Sequence, residues 1–225
     1  MTFSISARCP STGMFGIAVT SSSMAVAARC AFVRAGVGAV ATQNITDPRL
    51  GPRGLDLMAA GADAEAALAT MLAEHDYPDY RQLVLIDKQG GTAHHSGTKT
   101  LGRHKVAAGS GVVAAGNLLA DEGVPQTMIA AFDAAREQEL PARLLAAMAA
   151  GLAAGGEEGE IHSAGMVVAD DAAWPMVDLR VDWTDADPIA ELAGHWARWA
   201  PQMRDYVTRG LDPTQAPAYG VPGDP

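Results

Sequence analysis

Two cysteines in 225 residues, Cys9 and Cys30, are too few for a disulfide framework. A reducing, cytoplasmic setting is the expectation that follows, and both thiols read as small apolar fillers rather than nucleophiles. Basic residues are scarce as well: 16 Lys and Arg stand against 26 Asp and Glu, for a net charge of −10. So acidic a chain lacks the face that displaces counterions from nucleic-acid phosphates or docks on anionic lipid. Neither nucleic acid nor membrane is therefore an expected partner. A membrane helix needs about 18–20 uninterrupted apolar residues. Nothing here approaches that, because Arg29 and Arg34 break the best stretch, residues 24–42. The start of the chain has no basic segment leading into an apolar one, so it does not read as a secretory signal.

Familiar catalytic and cofactor signatures are also missing. The Gly109-x-Gly111 pair is not followed by a third glycine at the dinucleotide spacing, and there is no Walker lysine motif. No G-x-S-x-G elbow occurs. None of the six histidines forms H-E-x-x-H. His94, His95 and His104 are the one conceivable metal cluster, but adjacent residues of a strand point to opposite faces. No metal and no cofactor are expected.

What is present is an ordinary globular balance, 48% hydrophobic and 19% charged. Thr2–Arg8 alternates, with Phe3, Ile5 and Ala7 on one side and Thr2, Ser4, Ser6 and Arg8 on the other, which predicts a strand. A turn signal at Pro10–Gly13 and a second strand at Phe15–Thr20 complete a hairpin. Further strands are predicted at Gly38–Gln43, Tyr80–Asp87, Thr92–His95, Lys105–Ala115, Ser163–Ala169 and Met176–Val181. Helices are predicted at Pro52–Ala60, Asp63–Glu74 with Asp63 as N-cap, Asp121–Ala135 and Pro141–Ala153. A last helix runs from Asp187-Pro188 to about Tyr206. This order is not a strict βαβ alternation, so it favours an α+β fold of two packed antiparallel sheets flanked by helices. One domain over residues 1–209 is expected, then a loosely ordered Pro- and Gly-rich tail over 210–225.

The chemically informative place is the N-terminus. Threonine follows the initiator methionine and opens a strand directly. Removal of Met1 leaves Thr2 with a free α-amine beside its hydroxyl. That amine, ordinarily of pKa about 7.7–8.0, can act as base for its own side chain. An ordinary edge strand is the competing reading.

Several segments in order resemble the domain-of-unknown-function family 1028: residues 2–8, Gly16–Ser22, Arg34–Gln43, Gly51–Leu55, Tyr80-Arg81-Gln82, Asp87, Gly97-Thr98, Gly116–Leu119, Asp178–Asp182 and Asp187-Pro188. The resemblance covers about residues 2–195. It implies a four-layer αββα sandwich of the N-terminal-nucleophile hydrolase kind, and amide-bond hydrolysis of a small amide or peptide-like substrate. It departs from the family at Gly155–Ala164. There, acidic residues stand where basic ones are usual, and His162 replaces a glutamine, which implies a different substrate preference or lost activity if that loop lines the site.

In such a fold the second and third strands are expected to flank the first, bringing Ser21, Ser22 and Gln43 to Thr2. Asn117, the Gln43 and Asn44 side chains, and backbone N–H groups beside Ser21–Ser23 are candidate oxyanion donors. Strand-end capping explains Gln43 and Asn44 equally well, a turn explains Asn117, and capping explains the serines. Arg81 is a candidate for a substrate carboxylate, with an ion pair to an acid as the alternative. Asn44 and His162 are the other candidate substrate contacts. Trp196 and Trp199 share a helix face, which core packing or a subunit interface explains better than ligand stacking; with the family likeness, a homodimer is expected. Two further readings are a catalytically inactive binding or assembly protein on a hydrolase scaffold, and an enzyme with an internal nucleophile such as Ser22 or Ser163.

Overall fold

In the computed structural model, which describes residues 2–218 and 220, the alternating first segment is strand β1 (Thr2–Arg8). It pairs antiparallel with β2 (Phe15–Ser21) on one side and with β8 (Val112–Asn117) on the other. These three lie inside a six-stranded sheet that also holds β7 (Lys105–Gly109), β9 (Ser163–Ala169) and β10 (Val177–Val181), in the order β10-β9-β2-β1-β8-β7. A second, four-stranded sheet runs β3 (Ala31–Arg34), β4 (Gly38–Asn44), β5 (Arg81–Asp87), β6 (Thr92–Ser96). All pairings in both sheets are antiparallel.

The two periodicities of β1 decide the layering. Phe3, Ile5 and Ala7 pack outward onto helices α4 (Val124–Ala134) and α5 (Leu140–Ala153), in one core with Met128, Leu144 and Met148. Thr2, Ser4, Ser6 and Arg8 take the other face. Ser6 lies opposite Ile17 and Val113, which belong to the apolar layer between the sheets with Phe15, Ala39, Ala41, Val84 and Ile86. The hydrophilic side of β1 is therefore buried between sheets rather than solvated. On the far side, α2 (Leu50–Ala59) and α3 (Ala64–Glu74) cover the smaller sheet through Leu55, Met58, Met71, Leu83 and Leu85. The result is the four-layer αββα sandwich, with α6 (Pro188–Trp199) closing over β9 and β10.

Four expectations need correction. The segment Lys105–Ala115 is two strands, β7 and β8, because Gly111 at φ +67° makes a hairpin inside it. The short helix α1 (Ala27–Cys30) and β3 were unforeseen; every residue of β3 is partly buried, so its side chains carry no clean alternation. Pro201 has no N–H to continue a helix, so the last helix breaks into α6 and α7 (Met203–Leu211). And β4 does not flank β1; β8 does, while β4 lies across the sandwich. The tail expected from Gly210 begins within α7; of its later residues, 219 and 221–225 lie outside the described residues. Trp196 and Trp199 pack against the chain's own core, and Trp199 Nε1 donates to the Met176 carbonyl at 2.9 Å. No described helix is long and apolar enough to cross a membrane.

Candidate active site

Thr2 stands at the head of the strand between β2 and β8, and is 6% exposed. Asn117 lies opposite it on β8. From β2, the Ser21 hydroxyl lies 3.4 Å from the Thr2 hydroxyl. Ser21 Oγ also accepts the Ser23 N–H at 3.1 Å and lies 2.8 Å from Ser23 Oγ. The Ser22 N–H is held by a carboxylate, at 3.3 Å from Glu157 Oε2. The backbone N–H groups of Ser22 and Ser23 thus have partners already.

Beneath Thr2, four side chains from four strands form a buried chain of hydrogen bonds between the sheets. Ser4 donates to Gln43 Oε1 at 2.9 Å, and Gln43 Nε2 donates to Gln82 Oε1 at 2.8 Å. Asn117 Nδ2 donates to the same Gln82 oxygen at 3.1 Å. Gln82 Nε2 then donates to Ser96 Oγ and to the Gly116 carbonyl. Gln43, Gln82 and Asn117 are each 1% exposed or less, and Asn117 Oδ1 has no partner. A buried amide left half-satisfied costs free energy. Gln43 therefore reaches the Thr2 strand from the opposite sheet, through Ser4.

The strands that surround Thr2 leave the site through strained turns. Asn44, Leu118 and Ala25 have φ of 76°, 50° and 52°. Asn44 directly follows Gln43, Leu118 directly follows Asn117, and Ala25 closes the Ser21–Ser23 turn. Leucine and alanine gain nothing locally from left-handed geometry, and such strain concentrates at functional sites.

Glu157 was not foreseen. It is 5% exposed, its Oε1 has no hydrogen-bond partner, and its backbone bridges Leu119. Burial pushes its carboxyl up to about 7, with the charge of the chain's amino terminus and the bonds from Ser22 holding it back. It lines a cleft of about 270 Å³ with Gly155, Glu160, Ile161, His162 and Asp187. His162 sits in that wall, joined to the site strand by its N–H to the Ser21 carbonyl at 2.9 Å. Its ring stacks on Trp183 at 4.3 Å, and its Nδ1 meets the Thr184 carbonyl at 2.9 Å.

Other candidates have structural duties. The Asn44 side chain clamps the backbone of Tyr80 and Leu101. Arg81 is buried and donates to the Ile45 carbonyl, not to an acid. Ser163 is fully buried, donates to the Ser23 carbonyl at 2.6 Å and accepts the Val26 N–H. A larger cavity, about 500 Å³, lies apart at α2 and α3. Most of its charges are paired: Asp47 with Arg49 and His75, Arg53 with Glu74, and Asp56 with Arg34 outside the cavity.

The sequence matches the model of a family of unknown function, DUF1028, over residues 2–192. The chain belongs to the DUF1028 family. A crystal structure of a DUF1028 protein from Silicibacter pomeroyi is similar at TM-score 0.83 and 28% identity, covering 91% of this chain and 94% of that one. Anbu, the ancestral beta-subunit from Yersinia bercovieri, aligns over 91% of this chain and 97% of its own, at TM-score 0.40 and 11% identity. At that similarity it says nothing of this chain's chemistry. No curated protein matches.

In this DUF1028 chain, the residues expected at the site divide into two groups. Thr2, Ser21, Ser22, Gln43 and Asn117 converge on one end of the sandwich, with His162 in the neighbouring cleft wall. Asn44 and Arg81 leave that convergence for backbone contacts. Gln82, which carried the family likeness but no assigned role, is the hub of the buried network. Glu157 lies in the acidic segment that departs from the family pattern, and its link to Ser22 spans 135 positions of sequence.

Proposed function

We propose that this DUF1028 protein is an amide-bond hydrolase whose nucleophile is the Thr2 hydroxyl, freed for catalysis by removal of Met1. The observation that carries the reading is the position of Thr2. It opens a central strand, on the face turned toward the other sheet, with its hydroxyl 3.4 Å from Ser21 Oγ and Asn117 opposite. After processing, the α-amine is the base nearest the hydroxyl. It takes the Thr2 proton as Oγ bonds to the substrate carbonyl carbon, then gives the proton to the leaving nitrogen as the C–N bond breaks. Water hydrolyses the resulting ester and restores the hydroxyl. The second N–H of Asn117 Nδ2 is the donor best suited to the oxyanion, each such donor being worth about 3–4 kcal/mol. The neighbouring 270 Å³ cleft suits a small amide or short peptide rather than a folded protein.

The test begins with the intact mass of protein made without an N-terminal tag, which is expected to lack one methionine. That material is then screened against a panel of small amides beside Thr2→Ala. A loss of about 10³-fold or more in the variant is expected, as for other nucleophile deletions. Complete retention of Met1 in active protein, or equal turnover by Thr2→Ala, refutes the reading.

A further inference from the structure

Glu157 lies where the mechanism above requires no acid. Both neighbours of β1 run on past its first residue, β2 into Ser22 and β8 into Leu118 and Leu119. Glu157 spans that gap, with its backbone on Leu119 and its Oε2 on the Ser22 N–H at 3.3 Å. It is 5% exposed, yet Oε1 has no hydrogen-bond partner. A second buried acceptor without a partner, Asn117 Oδ1, sits on the residue paired with Thr2. Buried acceptors without donors are costly, and two around one strand end fit a small cation rich in N–H groups. Processing creates one there: loss of Met1 leaves an ammonium with three donors at the head of β1.

We infer that Glu157 and Asn117 form an acceptor cradle for the α-amine of processed Thr2, with Glu157 as its counter-ion and proton partner. The inference rests on the Thr2 reading above. At rest the proton is on nitrogen and Glu157 is a carboxylate. Transfer of that proton to Oε1 leaves a neutral amine and a neutral acid, and the nitrogen lone pair then accepts the Thr2 hydroxyl proton. Burial raises the Glu157 carboxyl toward the range in which an α-amine ordinarily titrates. Glu157 acts through the amine, so it is a positioning residue. The other charged groups facing this region are Glu160, His162, Asp185 and Asp187 around the cleft, Arg103 paired with Glu158, and Arg29 on Ser23 Oγ.

The test needs no substrate. Protein beginning at Thr2, verified by intact mass, is labelled with trace acetic anhydride over a range of pH, and acetylation of the Thr2 amine is read by peptide mass spectrometry. Glu157→Gln keeps an oxygen for the Ser22 N–H but removes the charge. The midpoint of amine reactivity is expected to fall by about one pH unit or more, the usual effect of losing an adjacent opposite charge. Glu158→Gln, on the surface with Arg103, leaves it in place. An unchanged midpoint in folded Glu157→Gln overturns the cradle. Should that variant not fold, a ¹³C carboxyl titration of the wild type decides. A Glu157 signal moving in the amine's pH range supports the cradle, and one that finishes titrating in the ordinary carboxylate range overturns it. Amide turnover with an unchanged midpoint removes the cradle and leaves the hydrolase; a shifted midpoint without turnover does the reverse.

Discussion

Gln82 holds four groups at once. It accepts from Gln43 and Asn117, and donates to Ser96 and the Gly116 carbonyl. Replacing it with leucine strands several of these in a buried layer, where each unsatisfied group costs about 1–3 kcal/mol. Gln82→Leu is therefore expected to lower stability by about 2–4 kcal/mol, read as a reduced midpoint in urea. At this scale the sequence brings forward residues whose type and place are unusual. A threonine behind an initiator methionine, and polar residues at strand ends, stand out in Thr2, Gln43 and Asn117. Gln82 and Glu157 do not stand out, because their roles come from partners on other strands. Asn44 and Arg81 hold backbone groups in the structure, a duty that their residue types do not distinguish from binding a ligand.

Elements were legible where period and punctuation agreed. Asp63 caps α3 through the Ala66 N–H at 2.8 Å, and Asp187 caps α6 through Ile189 and Ala190 at 2.8 and 3.1 Å. Asp187→Ala is expected to cost about 1 kcal/mol, measurable in the same urea series without loss of fold. Boundaries failed where an apolar run hid a turn, as at Gly111, or where a proline was read through, as at Pro201. Close packing between elements was not legible at all. Gly51 lies in the first turn of α2 against β3, and a Cβ there would stand 2.1 Å from the Phe32 ring. Gly51→Ala is expected to destabilise by about 1–3 kcal/mol through forced repacking, with the loss seen as a lower thermal midpoint.

At the scale of the whole molecule, the αββα arrangement turns the hydrophilic face of β1 into the floor between two sheets and places Thr2 at one end of it. Antiparallel sheets flanked by helices followed from element order. The β2 side of β1 followed from the hairpin turn, but the strand on its other side did not, since the β1–β8 pairing is long-range and no local pattern encodes it. Burial of Glu157 also gives the molecule a pH signature. Its folded carboxyl is raised from 4.5 to about 7, so between those values the folded state binds more protons than the unfolded chain. Stability then falls as pH rises through that window, by up to about 1.4 kcal/mol per unit, and levels off above it. Glu157→Gln is expected to flatten that slope in urea melts at successive pH values. A slope unchanged in the variant would assign it to other groups.

The central claim is that Thr2 is a nucleophile once its amine is free. The most direct measurement treats the chain lacking Met1, the chain retaining it and Thr2→Ala with a small β-lactone, then locates any adduct by peptide mass spectrometry. The account predicts one acyl group, on Thr2, in the chain lacking Met1 alone. An adduct of equal yield in Thr2→Ala, or none on Thr2 in correctly processed protein, would contradict it.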